Sequence, residues 1–327
     1  MTHDHKISTR ALHAGQEPDN DTLSRAPPIY RTTSYVFKDT QHAANLFGLK
    51  ELGNIYTRLM NPTTDVLEKR LADLEGGVGG LALSSGTTAI FYSIVNLARA
   101  GDEIAASNEL YGGTYTQFNN ILRDFGINTR FFDPKDPDDL KKAITPTTKA
   151  VFTETIGNPV LNVPDFKAIS VIAHDHNIPY IVDSTFTTPA LLNPISHGVD
   201  IIAHSLTKWI GGHGTAIGGA VVDSGNFDWV ASGKHPLLTE PDDSYHGIRY
   251  AHDLGDLTKL AYILRMRLVP LRNLGGCISP DNSWIFLQGL ETLTLRMKKH
   301  SENAQKVAEY LSGSDKVVWV LYPGLDD

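Results

Sequence analysis

Between residues 81 and 222, short apolar runs alternate with stretches of helical periodicity, and this alternation leaves few architectures open. Strands are predicted at 81–85, 103–106, 129–132, 150–154, 180–183, 201–205 and 217–222, with helices at 87–100, 114–125 and 164–177 among them. Such a chain builds an α/β fold: a mostly parallel seven-stranded sheet with helices on both faces. Right-handed crossovers bring the loops at the strand C-termini to one edge, where open α/β sheets collect their ligands. An earlier helix begins after Asn61-Pro62-Thr63-Thr64-Asp65, carries Leu67, Leu71 and Leu74 on one face, and stops at Gly76-Gly77. Residues 1–60 show no period and are rich in Pro, Thr, Asn and Tyr, as an extended arm would be. Beyond about residue 250 two long helices are predicted, 256–275 with an interruption at Pro270 and 283–313, then a strand-like run at 317–322. The chain thus divides into an arm (1–60), a large domain (61–250) and a closing segment (251–327).

A chain of 327 residues, 41% hydrophobic, can bury one large core and part of a second. A net charge of −8 without any block of Lys or Arg argues against nucleic acid and anionic membranes as partners. The single cysteine, Cys277, allows neither an intrachain disulfide nor a cysteine zinc cluster; it fits a cytoplasmic setting. No signal-peptide pattern opens the chain, and no apolar run is long enough to span a bilayer. His3 and His5 read as a solvated tail, and no metal site is expected.

Two motifs mislead. Gly77-Val78-Gly79-Gly80-Leu81-Ala82 matches a nucleotide fingerprint, but it follows a helix and precedes a strand, the wrong order. His174-Asp175-His176 resembles a metal pair yet sits at a helix end, as exposed polar residues do. The informative residues stand at strand ends. Lys208 comes just after strand 201–205, between the hydroxyls of Ser205 and Thr207 and the turn Gly211-Gly212-His213-Gly214. That setting suits a Schiff-base lysine, although an ordinary surface lysine fits equally well. Asp183 closes strand 180–183, where a carboxylate can pair with a protonated pyridine nitrogen or simply cap the next segment. Ser84-Ser85-Gly86-Thr87-Thr88, between a strand and a helix, can present amides to an anion. Tyr111, before Gly112-Gly113-Thr114, can stack on a flat ring and donate a proton, or be a packed aromatic. Each has a plain alternative; the four together, at successive sheet-edge positions, converge on one site.

Taken together, these residues resemble the Cys/Met-metabolism family of fold-type I pyridoxal 5'-phosphate (PLP) enzymes, and most of all its O-acetylhomoserine sulfhydrylases. The resemblance also rests on Tyr56-Thr57-Arg58, Asn61-Pro62-Thr63, Ile156-Gly157-Asn158-Pro159, the run Ser205-Leu206-Thr207-Lys208-Trp209-Ile210-Gly211-Gly212-His213-Gly214, and Leu287-Gln288-Gly289-Leu290-Glu291. It implies PLP as cofactor, held in the domain 61–250, with Lys208, Tyr111 and Asp183 catalytic. It further implies that Ser85, Gly86, Thr87, Ser205 and Thr207 hold the phosphate, and that Asn158 approaches the ring hydroxyl. Tyr56 and Arg58 would reach the phosphate of a neighbouring subunit, so a homo-oligomer with shared sites, a dimer of dimers, is implied. The implied reaction joins O-acetylhomoserine and sulfide into homocysteine and acetate. Cystathionine synthesis, γ-elimination and a silent PLP-binding remnant are the alternatives. Methionine γ-lyases commonly carry cysteine where this chain has Gly113, which speaks against the lyase. The family continues past Tyr322-Pro323-Gly324 into a small α/β domain bearing the arginine that grips the substrate carboxylate. The expectation is that this chain is a fragment truncated in that domain.

Overall fold

A computed structural model describes residues 5–325, so His3 and the final Asp326-Asp327 lie outside the described residues. Seven strands form one sheet: β1 (Gly79–Leu83), β2 (Glu103–Ser107), β3 (Asn128–Phe132), β4 (Thr148–Glu154), β5 (Tyr180–Asp183), β6 (Ile201–Ser205) and β7 (Gly219–Asp223). Their spatial order is β1-β7-β6-β5-β4-β2-β3. Strands β2 to β6 pair in parallel, whereas β7 is antiparallel to both β1 and β6.

Alternate side chains of each strand enter different cores, as the two-residue period requires. Leu81, Leu83, Phe152, Ile181, Ile201 and Val221 pack on one face with Ile90 and Tyr262. Ala82, Val151, Val182, Ile202 and Val222 pack on the other with Leu67, Leu71, Ile169 and Phe286. Burial on both faces is why these runs lack a polar stripe, the edge strand β3 excepted, where Asn128 and Arg130 are exposed.

The helix Pro62–Glu75 shows how local sequence sets element ends. Asn61 accepts a hydrogen bond from the Thr63 amide, Pro62 occupies the first turn, and Gly76 turns left-handed at φ 77°. Gly77 then lies so close to β7 that a Cβ would stand 2.4 Å from Val222 Cγ1. These glycines are therefore a helix stop and a close packing point, not a nucleotide loop. His174 is exposed, as expected, and paired with Asp200 (2.7 Å), and His176 Nδ1 meets the Ile172 carbonyl (2.8 Å).

Three elements depart from expectation. The helical path continues through Pro270, from Gly255 to Leu274, by widening into a π-turn at Arg267–Leu271. That turn accommodates a residue without an amide hydrogen. The second long helix begins earlier, at Pro280, and breaks at Thr292 into Pro280–Glu291 and Leu293–Ser312. The run 317–322 is no strand: it pairs with no sheet strand, and Val318 and Trp319 are 96% and 74% exposed. A continuous apolar run, here Val-Val-Trp-Val-Leu-Tyr, does not make a strand without a partner to share its ladder of hydrogen bonds. The arm also carries two short helices, Ile7–His13 and Thr40–Phe47, that its composition did not announce.

Candidate active site

The C-terminal ends of β4, β5 and β6 open into a cavity of about 630 Å³, a size ordinary for small-ligand sites. Ser85, Gly86, Thr87, Tyr111, Asn158, Asp183, Ser205, Thr207 and Lys208 all line it. Residues far apart in the chain thus meet because parallel strands end on one edge.

One end of the cavity is built for an anion. Ser85 caps the helix Gly86–Val95, its hydroxyl accepting from the Thr88 amide at 3.1 Å. First-turn amides such as those of Gly86 and Thr87 have no acceptor within the helix, and the helix dipole favours negative charge there. Glycine is required at 86 because a Cβ would lie 2.5 Å from Ser205 Cβ. Its absence lets β6 and the helix start come together around one small space. The Thr207 hydroxyl lines the same end, where it donates to the Gly218 carbonyl (3.2 Å) and accepts from the Gly218 amide (3.1 Å). These contacts pin the loop between β6 and β7.

The middle of the cavity holds two carboxyls. Asp183 is buried, 8% exposed, with Oδ1 accepting the Thr185 amide at 2.9 Å. The Thr185 hydroxyl in turn accepts the Ser205 amide (2.7 Å), tying the ends of β5 and β6 together. Burial raises the Asp183 carboxyl above its usual range, opposed by the Thr185 hydrogen bonds and by nearby His204. Glu154 is its register partner on β4, equally buried, and also lines the cavity. Its Oε1 accepts the Tyr111 amide at 2.6 Å. Burial first, and then the negative charge of Asp183, push Glu154 well upward too. Sequence reasoning passed over Glu154, although it closes a predicted strand at the same edge as Asp183.

Lys208 lines the same cavity from the turn after β6 and enters no ion pair among the described residues. Arg296 braces that turn, donating to the carbonyls of Trp209 (2.6 Å), Ile210 (3.2 Å) and Gly289 (2.6 Å). Tyr111 covers the mouth, its side of the cavity open enough to leave it 52% exposed. Tyr56 and Arg58 do not reach this cavity: they lie in the arm, the guanidinium 5.2 Å from the tyrosine ring centroid.

Against known proteins, the model for Cys/Met metabolism PLP-dependent enzymes matches residues 8–327. The chain belongs to this family. It is 52% identical to an O-acetyl-L-homoserine sulfhydrylase of Leptospira meyeri, over 99% of this chain and 74% of that protein. It is 52% identical to a homocysteine synthase of Schizosaccharomyces pombe, over 98% of this chain and 74% of the relative. A crystal structure described as a putative O-acetylhomoserine (thiol)-lyase of Campylobacter jejuni superposes with a TM-score of 0.94 at 43% identity, covering 98% of this chain and 79% of that one. That structure carries N'-pyridoxyl-lysine-5'-monophosphate.

The cofactor of this family member is PLP, and the cavity fits it. A phosphate suits the cradle that a Cβ at Gly86 would fill, a pyridine nitrogen suits the buried Asp183, and Lys208 supplies the amine. Among the described residues no helix is long and apolar enough to cross a membrane.

Proposed function

We propose that this chain catalyses γ-replacement: O-acetylhomoserine and sulfide give homocysteine and acetate. One observation carries the reading. Lys208, Asp183 and the Gly86 cradle share one cavity in a chain about half identical to enzymes named for this reaction. The HS–Cγ bond forms, the Cγ–O bond breaks, and acetate takes the electron pair.

When bound, PLP supplies the carbonyl that captures an amine and the ring that delocalises the electrons of the departing α-proton. The chain supplies the rest. Lys208 Nζ removes the α-proton and returns a proton at the end. Asp183 holds positive charge at the pyridine nitrogen by facing it as an anion. The Gly86 and Thr87 amides and the Ser205 and Thr207 hydroxyls hold the phosphate, and Thr207 also ties down the loop behind them. The Tyr111 ring covers the pyridine and its phenol assists the leaving acetate. Asn158 meets the ring hydroxyl. Tyr56 and Arg58 serve the phosphate of a neighbouring subunit, where the planar guanidinium binds two oxygens at once. The proposed assembly is a homo-oligomer with shared sites, a dimer of dimers, and the proposed setting is the cytoplasm.

Product analysis tests the reaction. Protein loaded with PLP is given O-acetylhomoserine with sulfide, with cysteine, or alone. Homocysteine forming fastest with sulfide supports the reading; cystathionine from cysteine as the dominant product, or elimination irrespective of nucleophile, overturns it.

A further inference from the structure

Glu154 and Asp183 face one another in register on adjacent parallel strands, project from the same face of the sheet and end at the same edge. Both are buried, and neither forms an ion pair among the described residues. Two such carboxylates at adjacent positions do not both stay ionised, because each charge opposes the other in a medium that screens poorly. The titratable groups that line the cavity with Glu154 are Asp183 on β5, Tyr111 from the segment ahead of its helix, and Lys208 on the turn after β6. His204 of β6 belongs to the opposite face, where it pairs with Glu75 at 2.6 Å.

The surroundings of the two carboxyls differ. Asp183 accepts hydrogen bonds from Thr185 and stands where the cofactor's ring nitrogen demands an anion. Glu154 accepts one main-chain bond, from Tyr111, which needs only a carbonyl oxygen and no charge. That bond fixes the start of the helix Gly112–Thr116 and with it the root of the Tyr111 side chain. Gly113 completes the arrangement, since a Cβ there would lie 2.5 Å from Tyr111 Cε1.

We propose that Glu154 is a positioning residue that remains a neutral carboxylic acid, holds the Tyr111 main chain at the cavity, and leaves Asp183 as the one anion facing the pyridine nitrogen. This rests on PLP occupying the cavity, not on the choice of substrate. The test compares Glu154→Gln, which keeps a neutral carbonyl acceptor of the same shape, with Glu154→Ala, which leaves the Tyr111 amide unpaired. Infrared difference spectra between PLP-loaded wild type and E154Q at neutral pH are the direct readout: the wild type carries a protonated carboxyl stretch that E154Q loses, while bands of other buried carboxyls such as Asp223 cancel in the difference. The affinity for PLP, followed by absorbance, stays within about 3-fold of wild type in E154Q. Turnover holds within about 5-fold in E154Q and falls about 10- to 100-fold in E154A, the range for leaving a buried donor unpaired. A wild-type-minus-E154Q difference without a protonated carboxyl band overturns the proposal. So does an E154Q turnover as low as that of E154A, because the charge would then be what matters. Neither infrared nor cofactor binding involves substrate, so a wrong substrate assignment leaves these readouts unchanged.

Discussion

Replacing Gly86 with alanine tests whether the cavity's narrow end is a phosphate cradle. The new Cβ would sit 2.5 Å from Ser205 Cβ and 2.8 Å from Ser205 Cα, so relief must come from main-chain separation, not from a side-chain rotation. Moving the helix start off β6 by even about 1 Å costs overpacking energy of roughly 1–3 kcal/mol. It also carries the Gly86 and Thr87 amides away from a common anion. Losing one charge-assisted bond costs about 1.5–3 kcal/mol, which converts to a Kd for PLP weaker by roughly 10- to 150-fold. The assay titrates cofactor-free protein with PLP by absorbance, with inorganic phosphate as competitor. Thermal unfolding of the cofactor-free form separates folding from binding. A Gly86→Ala variant that binds PLP within about 3-fold of wild type would refute the cradle, because the same clash cannot leave both amides in place.

Asp183→Ala should lower turnover at least about 100-fold, the low end for removing a principal electrostatic group; near-normal turnover would reduce Asp183 to a capping residue. Arg58→Ala and Lys208→Ala should each be inactive alone. Mixed, they should recover up to about a quarter of wild-type activity, since random exchange makes half the dimers mixed and each holds one intact site; no recovery despite demonstrated exchange contradicts shared sites. Burial pushes the Asp223 carboxyl up to about 7 from an ordinary 3.8, so the folded state holds its proton more tightly than the unfolded chain. The stability it lends is present below about pH 4 and is lost as pH rises through about 7. Asp223→Asn should shrink the difference in unfolding free energy between these limits by at most about 4 kcal/mol, read from urea titrations, and an unchanged pH dependence would contradict it.

Much of the sheet was legible because buried strands and amphipathic helices differ in period, and the seven strands fall within two residues of their expected bounds. β1 ended early because Ser84 and Ser85, which extend its run in the sequence, leave the strand and Ser85 caps a helix. Strand order and the reversed direction of β7 were not legible, since a period carries no direction. Ser85, Gly86, Asp183, Ser205 and Lys208 could be singled out because residues at strand ends share an edge in any parallel sheet. Glu154 was missed for the opposite reason: a carboxylate ending a strand looks like a solvated residue until the register sets it beside Asp183. The run 317–322 shows that an apolar stretch needs a pairing partner before it becomes a strand.

The central claim is that the cavity at the ends of β4, β5 and β6 is the cofactor site and Lys208 its covalent anchor. The most direct measurement reduces the PLP-loaded protein with borohydride, which fixes the cofactor to the amine that holds it, and then maps the labelled peptide by mass spectrometry. One label is expected, on Lys208, absent from Lys208→Ala along with the yellow colour. A label on any other lysine, or a Lys208→Ala protein that is still labelled and yellow, would contradict it.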